Sequence, residues 1–158
     1  AFLLCFGPLG GVLLKIISTM DSMVGYKSER YLRFGWCGAR TDDVTNFLPA
    51  RWSWLLLSGL AALLPGFDGR TAWRIGLAQH ALVPGPNSGW PECTIAGALR
   101  RRLIGPLFKN GVQVCDLWLG EPADAPGADT RDIRRTSMLL ILSTLATFAA
   151  LGVLAFLR

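Results

Sequence analysis

The sequence is poor in the residues that build metal centres, with one histidine and four cysteines in 158 residues. The cysteines stand at Cys5, Cys37, Cys93 and Cys115, and no CxxC pair or other metal-ligand spacing occurs among them. We interpret them as small apolar residues and expect neither a zinc site nor a haem site. A GxxxxGK[ST] loop is also missing, which excludes a P-loop nucleotide site.

Charged residues are sparse as well, at 17% of the chain, whereas 51% of the residues are hydrophobic. The net charge of +5 is distributed over the segments that connect the apolar stretches. Nucleic-acid binding requires a dense basic face with stacking aromatic residues, so we expect no nucleic-acid partner. Basic residues beside apolar stretches are typical of membrane proteins, and the lipid bilayer is therefore an expected partner.

Three apolar stretches predict membrane helices. Residues 138–157 run for about 20 residues without a charge, and a helix of that length covers roughly 30 Å, the hydrocarbon thickness of a bilayer. Residues 2–18 carry one charge, Lys15, near the end of the stretch. Residues 52–64 are short for a span, so this helix either crosses from near Phe47 or re-enters on the same side.

The expected architecture is an all-α integral membrane protein with two to three membrane helices. Residues 1–158 would be the C-terminal part of one membrane domain, with polar loops over 19–50 and 65–137. The chain begins with Ala1 inside an apolar run and has no charged leader, so we interpret it as a truncated or internally started sequence. The expected location is the cell membrane, crossed several times.

Turn and cap residues subdivide the second polar segment. Residues 83–89 are rich in glycine and proline, which excludes regular structure there. A helix is predicted over 91–102, ended by the Gly-Pro pair at 105–106. Residues 120–127 predict a flexible surface turn, and the Asp-Thr pair at 129–130 predicts a cap for the last helix.

A dense group of charged and polar residues before residue 51 is the first candidate site. Lysine and arginine would hold phosphate oxygens there, and carboxylates would hold Mg²⁺ or accept a proton. The alternative is a solvated interfacial loop whose charges pair with one another and with lipid headgroups. The group consists of Asp21, Tyr26, Lys27, Glu29, Arg30, Arg33, Arg40, Asp42, Asp43 and Asn46.

Residues 86–92 are the second candidate site. A turn bounded by glycine and proline at a helix N-terminus presents N–H groups that suit an anion. Glu92 is explained equally well as a ligand contact and as a carboxylate favoured by the helix dipole. His80 has no acid or cysteine close in sequence, and we interpret it as a surface or loop residue.

Both candidate segments resemble those of the adenosylcobinamide-phosphate synthase family, integral membrane enzymes of cobalamin biosynthesis. The similarity runs over nearly the whole chain and includes the entry to the last helix. The similar residues are 19–27, 29–31, 34–36, 39–40, 42–43, 46, 49–51, 86–92, 96–99 and 132–135. The chain departs from the family in its single histidine: the family often has a histidine just before a Ser-Pro-Asn stretch, whereas His80 lies further away and Gly85-Pro86 replaces Ser-Pro.

The resemblance implies an acid–amine ligase of a bacterial or archaeal inner membrane. It would join adenosylcobyric acid, a corrinoid, to aminopropanol or its phosphate. Amide formation from a free acid is uphill in water, so we expect ATP and Mg²⁺ to be required. Family members are longer than this chain, which implies a missing N-terminal half as a further partner. The alternative is a non-catalytic regulatory or carrier membrane protein of the same superfamily.

The resemblance also implies roles for individual residues. The expected catalytic carboxylates are Asp21, Asp42, Asp43 and Glu92, with Asp21 and Glu92 as Mg²⁺ ligands. The expected contacts to substrate and phosphate are Tyr26, Lys27, Arg30, Arg33, Arg40, Asn87, Ser88 and Trp90.

Overall fold

The computed structural model describes residues 2–24 and 34–157. They divide into two compact units, residues 1–49 with 146–158 and residues 50–145, and each unit is described by itself. The helices are α1 (Phe2–Val24), α2 (Phe34–Leu63), α3 (Gly69–Gln79), α4 (Gly89–Leu99) and α5 (Thr130–Phe156), with a 3₁₀ turn at His80–Leu82. The strands are β1 (Arg101–Lys109), β2 (Val112–Leu119) and β3 (Ala125–Pro126).

The apolar stretches lie inside helices that are longer than predicted. α2 is one helix of 30 residues, so residues 34–50, predicted as part of a polar loop, are helical. Pro49, expected in the first turn of a helix over 52–64, stands inside α2. The loop prediction for 19–50 is therefore wrong in its described part, because packing overrides the weak helix propensity of this segment.

In the first unit α1 packs against α2 beside Gly38. A Cβ atom added at Gly38 would lie 3.6 Å from the Cβ of Met20 and 3.8 Å from the backbone nitrogen of Asp21. These are ordinary van der Waals distances, so the packing has room for a Cβ atom at this point. The contact brings the end of α1 beside the first half of α2.

The core of the second unit is formed by small and branched apolar side chains from four helices. α2 contributes Leu57 and Ala61, and α3 contributes Ala72. Ile95, Ala98 and Leu99 of α4 and Leu139 of α5 complete the cluster. Burying each large aliphatic side chain stabilises the fold by about 1.5–3 kcal/mol.

α4 packs closely against α3. A Cβ atom at Gly97 would lie 2.7 Å from the carbonyl oxygen of Thr71 and 2.8 Å from the Cα of Ala72. Gly76 on α3 leaves room for α4 in the same way, since a Cβ atom at Gly76 would lie 2.6 Å from Oγ1 of Thr94. Glycine is therefore required on both faces of this contact.

A sheet of three strands corrects the all-α prediction. β1 pairs with β2 in antiparallel orientation and with the short β3 in parallel orientation, in the order β2-β1-β3. Asn110 and Gly111 connect β1 to β2 with φ values of 53° and 77°, as a type I′ hairpin turn requires. Pro106 is accepted within β1 because β3 pairs only with Arg101 and Arg102, which leaves that edge open beside the proline.

The helix predicted over 91–102 ends earlier than expected, at Leu99. Arg100 adopts a left-handed conformation with φ of 56°, and its N–H caps the helix on the carbonyls of Ala96 and Gly97. The chain then leaves the helix axis and enters β1. The Gly-Pro pair at 105–106, expected to end the helix, lies inside this strand.

The Arg100 guanidinium connects three parts of the second unit. Nε donates to Oδ1 of Asp124 at 2.9 Å, and Nη2 lies 3.1 Å from Oε2 of Glu121. Nη1 lies 3.4 Å from Oδ2 of Asp68, the N-cap of α3. Arg74 also pairs with Glu121, so residues 120–127, predicted as a flexible turn, are fastened by three ion pairs and include a strand.

The start of α5 has the cap that the Asp-Thr pair predicts. The backbone N–H of Asp132 donates to Oδ1 of Asp129 at 2.9 Å, and that of Asp129 donates to Oδ2 of Asp132 at 3.2 Å. Asp132 is also buried against Arg101, whose Nε lies 2.8 Å from its Oδ2. This ion pair fastens the base of the β1–β2 hairpin to the first turn of α5.

α5 is the one helix of the described part of the chain that is long and apolar enough to cross a membrane, over Thr130–Leu154. Only 6% of its apolar window is buried within the protein, which is compatible with a membrane protein. The expectation of two to three spans, and whether residues 52–64 cross or re-enter, stay predictions.

Helix packing at Gly97 gives a direct test of the fold. We expect Gly97→Ala to lower the free energy of unfolding by about 1–3 kcal/mol, because the methyl group overlaps the backbone of α3. Thermal unfolding in detergent measures the effect. Gly59→Ala in α2 is the matched control, since its Cβ meets nothing within 4 Å, and it should leave stability unchanged or raise it by about 0.5–1 kcal/mol. Equal effects of the two substitutions would contradict the described packing.

Candidate functional site

The second unit contains an open pocket of about 390 Å³ beside the N-terminus of α4. Its wall is formed by the 3₁₀ turn and the loop that follows it, residues 80–86, and by the side chain of Arg51 from α2. We call it the Arg51 pocket. It is lined by one guanidinium, one imidazole and the apolar loop.

Arg51 is held in place by the second candidate segment. Its Nη1 donates to Oδ1 of Asn87 at 2.8 Å, and its Nη2 lies 3.4 Å from the carbonyl oxygen of Pro86. Its guanidinium carbon lies 4.9 Å from the ring centroid of Trp90, a cation–π distance. Burial lowers the pKa of Arg51 from its ordinary value, although the group stays charged at neutral pH.

His80 is half-buried in the 3₁₀ turn and lines the open pocket, which is compatible with its interpretation as a surface or loop residue. Its ring stacks on Trp90 with centroids 3.9 Å apart, and Nδ1 lies 2.9 Å from the carbonyl oxygen of Leu77. A carbonyl accepts, so Nδ1 carries the proton and Nε2 is the acceptor in the neutral ring. Close packing positions the residue, since a Cβ at Gly89 would lie 2.0 Å from the His80 carbonyl oxygen.

Trp90 is the centre of an aromatic cluster that supports the pocket. Its ring centroid lies 5.1 Å from that of Trp54, which lies 4.1 Å from that of Trp73. Nε1 of Trp54 donates to the carbonyl oxygen of Trp73 at 3.2 Å. Nε1 of Trp90 is buried and has no hydrogen-bond partner among the residues the structure describes. Trp90, predicted as a ligand contact, thus orders both His80 and Arg51.

The rest of the second candidate segment has mainly local contacts. Oγ of Ser88 donates to the carbonyl oxygen of Pro84 at 3.3 Å, which shapes the pocket loop. Glu92 lies in the first turn of α4, and most of its surface is open to solvent. The protein nevertheless shields part of the carboxyl group from water, and this partial burial raises its pKa. The catalytic and Mg²⁺ roles expected for Glu92 stay predictions.

In the first unit, carboxylates from two helices come together. Burial raises the pKa of Asp42, and the negative charges of Asp21 and Asp43 raise it further. The side-chain amide of Asn46 donates to Oδ2 of Asp42 at 2.9 Å and acts in the opposite direction. Arg40 lies 3.9 Å from Asp43. Mg²⁺ binds proteins through one or two carboxylates together with substrate phosphates, and a cation would relieve the repulsion between Asp21 and Asp42, so this group fits it.

Several predicted contacts lie outside the described residues. They are Tyr26, Lys27, Glu29, Arg30 and Arg33. Among the residues that the structure does describe, no three metal-ligating side chains form a cluster. In the first unit, the charge of Asp21 acts on Asp42. In the second unit, Asn87 and Trp90 contact Arg51.

Arg51 and His80 line the pocket, although neither is among the ligand contacts expected from the sequence. Arg51 ends the first similar segment, and its contact with Asn87 joins residues far apart in the chain. His80 has no acid or cysteine close in sequence, whereas its neighbour in space is Trp90. The Gly and Pro residues at 84–86 were the available signal, because a loop of this composition can return the chain to an earlier side chain.

Cys93 lies directly behind the site on α4 and is fully buried. Burial, and then the charge of Glu92, raise the pKa of its thiol to about 12. Thiolate is the reactive form of cysteine, so this residue is chemically inert in the folded protein. It has the structural role that we expected of the cysteines.

Comparison with known proteins agrees with the motifs. The CobD/Cbib protein family matches residues 1–140. The chain is 46% identical over 153 residues to the cobalamin biosynthesis protein CobD of Klebsiella pneumoniae, covering 96% of this chain and 47% of the relative. It is 42% identical over 140 residues to CobD of Pelobacter propionicus, covering 89% of this chain and 42% of the relative. It is 46% identical over 143 residues to the cobalamin biosynthesis protein CbiB of Salmonella typhimurium, covering 87% of this chain and 44% of the relative.

These similarities show that the chain belongs to the CobD/CbiB family, as the motifs predict. It spans less than half the length of these curated relatives. No solved structure matches the chain.

The environment of the cysteines predicts their reactivity. In the folded protein at pH 8 we expect Cys37, which is exposed, to react with maleimide while Cys93 stays unmodified. With a pKa of about 12, roughly one Cys93 thiol in ten thousand is ionised at that pH. Peptide mass mapping before and after unfolding measures this. Labelling of Cys93 at the rate of Cys37 without unfolding would contradict its described burial.

Proposed function

We propose that the chain is part of an adenosylcobinamide-phosphate synthase that acts in cobalamin biosynthesis. The support is membership of the CobD/CbiB family together with similarity to relatives named cobalamin biosynthesis proteins. One structural observation carries the proposal further. Arg51, the end of the first similar segment, is bonded to Asn87 of the second, so two separated motifs share one pocket.

The reaction that fits is an ATP-driven amide synthesis on adenosylcobyric acid. A propionate oxygen of the corrin attacks a phosphorus of ATP and forms an acyl phosphate or an adenylate, with release of ADP or pyrophosphate. The nitrogen of aminopropanol or its phosphate then forms the C–N bond, and the phosphate or AMP leaves. The attacking nitrogen must lose a proton to a base, because a protonated amine has no lone pair.

The described carboxylates and cations have complementary roles in this proposal. Asp21 and Asp42 are the described residues that would hold Mg²⁺, whose charge would neutralise the phosphates of ATP. Arg40 and the cations at 27, 30 and 33 would stabilise the anionic groups of the activated acid. Asp43 and Glu92 are the carboxylates proposed for proton transfer.

The proposed protein is a multi-pass protein of the cell membrane. The support is α5, whose apolar surface is almost wholly exposed over Thr130–Leu154. Its partners would be lipid, the corrinoid, the amine substrate and the remainder of the longer protein that the relatives' lengths suggest. Two further membrane helices, over residues 2–18 and 52–64, belong to the same proposal.

The first test is formation of the amide. With ATP and Mg²⁺ present, we expect the full-length protein in detergent to convert adenosylcobyric acid and aminopropanol phosphate to the amide. Mass spectrometry of the corrinoid measures the product. Glu92→Ala should lower turnover by about 10²-fold or more, the effect of a lost acid–base group, and Asp21→Ala should lower it by orders of magnitude because a Mg²⁺ ligand is lost. Asp116→Ala is the matched control, since Asp116 is exposed on the β1–β2 hairpin, and it should retain activity.

The outcomes separate the two candidate functions. No amide from a folded protein that binds the corrinoid would favour the regulatory or carrier function. Near-normal turnover of Asp21→Ala and Glu92→Ala would refute the residue assignment alone. Membrane insertion of each variant is checked by fractionation.

A further inference from the structure

We propose that the Arg51 pocket binds the phosphate of a small phosphorylated amine substrate, with Arg51 and the Nε2 atom of His80 as its polar contacts. The inference rests on the proposed function and adds to it a subsite with two specificity-determining residues. Neither residue belongs to the sites expected from sequence, and both line the same pocket.

The fixed position of Arg51 is the first argument. Asn87 and Pro86 hold its guanidinium at one edge, and Trp90 lies against its face, so the group is oriented before any ligand arrives. A planar guanidinium matches the geometry of phosphate oxygens and binds them through parallel hydrogen bonds. Partial burial, which lowers the pKa of Arg51, also strengthens its attraction for an anion that enters the pocket.

His80 supplies the second contact and a preference for phosphate. With Nδ1 bonded to the carbonyl of Leu77, Nε2 is the ring atom left for a ligand. A neutral Nε2 accepts from the hydroxyl of a monoprotonated phosphate, and a protonated ring donates to the dianion. The ring cannot tilt away, because it stacks on Trp90 on one side.

The size of the pocket is compatible with this ligand. A volume of about 390 Å³ lies at the lower end of small-molecule sites, so the pocket is large enough for a small phosphorylated amine. The apolar residues of the loop, Leu82, Val83 and Pro84, would contact the short carbon chain of such an amine. The phosphates of ATP share the same chemistry, and the experiment distinguishes these two sources.

The test compares two amines that differ only in the phosphate. For the full-length protein, kcat/KM is measured with aminopropanol phosphate and with aminopropanol, at saturating ATP and adenosylcobyric acid. We expect Arg51→Met and His80→Ala to lower kcat/KM for the phosphorylated amine by about 10- to 100-fold, the effect of a lost charged hydrogen bond. The unphosphorylated amine, which lacks the group these residues bind, should be affected much less.

Two further variants make the result specific. Arg51→Lys keeps the charge but loses the parallel hydrogen bonds, and it should lie between the wild type and Arg51→Met. Arg70→Met, a solvent-exposed arginine of α3, is the matched control and should keep the wild-type ratio of the two amines. Thermal unfolding of each variant identifies any loss of folding, and in that case the Lys variant carries the comparison.

The outcomes keep the two proposals apart. Equal losses for both amines, or a raised KM for ATP in place of the amine, would overturn the assignment of the pocket to the amine phosphate. A wild-type protein that forms no amide from either amine would refute the proposed function. Binding of aminopropanol phosphate, measured by calorimetry in the wild type and Arg51→Met, then still decides whether the pocket holds a phosphate.

Discussion

Arg100 makes the interaction on which the arrangement of the second unit depends. Its backbone ends α4 in a left-handed conformation, and its side chain bonds the N-cap of α3 and the acids of residues 121–124. Asp124 is almost fully buried, with 5% of its side chain exposed, and a buried carboxylate without a cation costs several kcal/mol. The direction of β1, the position of the 120–127 segment and the start of α3 therefore follow from one guanidinium.

The aromatic cluster gives the site its rigidity in a region without regular structure. Residues 83–88 form a loop, and the backbone N–H of Trp90 donates to the carbonyl oxygen of Asn87 in that loop at 3.3 Å. The ring of Trp90 in turn packs with that of Trp54. Contacts between aromatic rings contribute about 0.5–1.5 kcal/mol each beyond their buried area. A loop positioned in this way keeps its polar groups in place while leaving one face open to solvent. This combination is what a small polar ligand requires of a binding site.

The sequence predicted the apolar helices, the 83–89 loop, the cap of α5 and the family, because each depends on local chemistry. It did not predict the hairpin, although Asn110-Gly111 between apolar residues is a known turn signal. The length of α2 was missed because Gly35, Gly38 and Pro49 argue against a helix locally, and tertiary packing decided otherwise. The contact of His80 with Trp90 depends on the path of the whole loop, which no local pattern contains.

The ion pair between Arg101 and Asp132 joins two parts of the chain that are synthesised at different times. During synthesis, α3, α4 and the hairpin leave the ribosome before α5, so Arg101 has no Asp132 to pair with until the start of α5 follows. The side chain of Asp132 is only 2% exposed in the fold, so a chain whose sheet is misassembled would lose Arg101 as the partner of a buried carboxylate. Correct assembly of the sheet is therefore a condition for a stable first turn of α5.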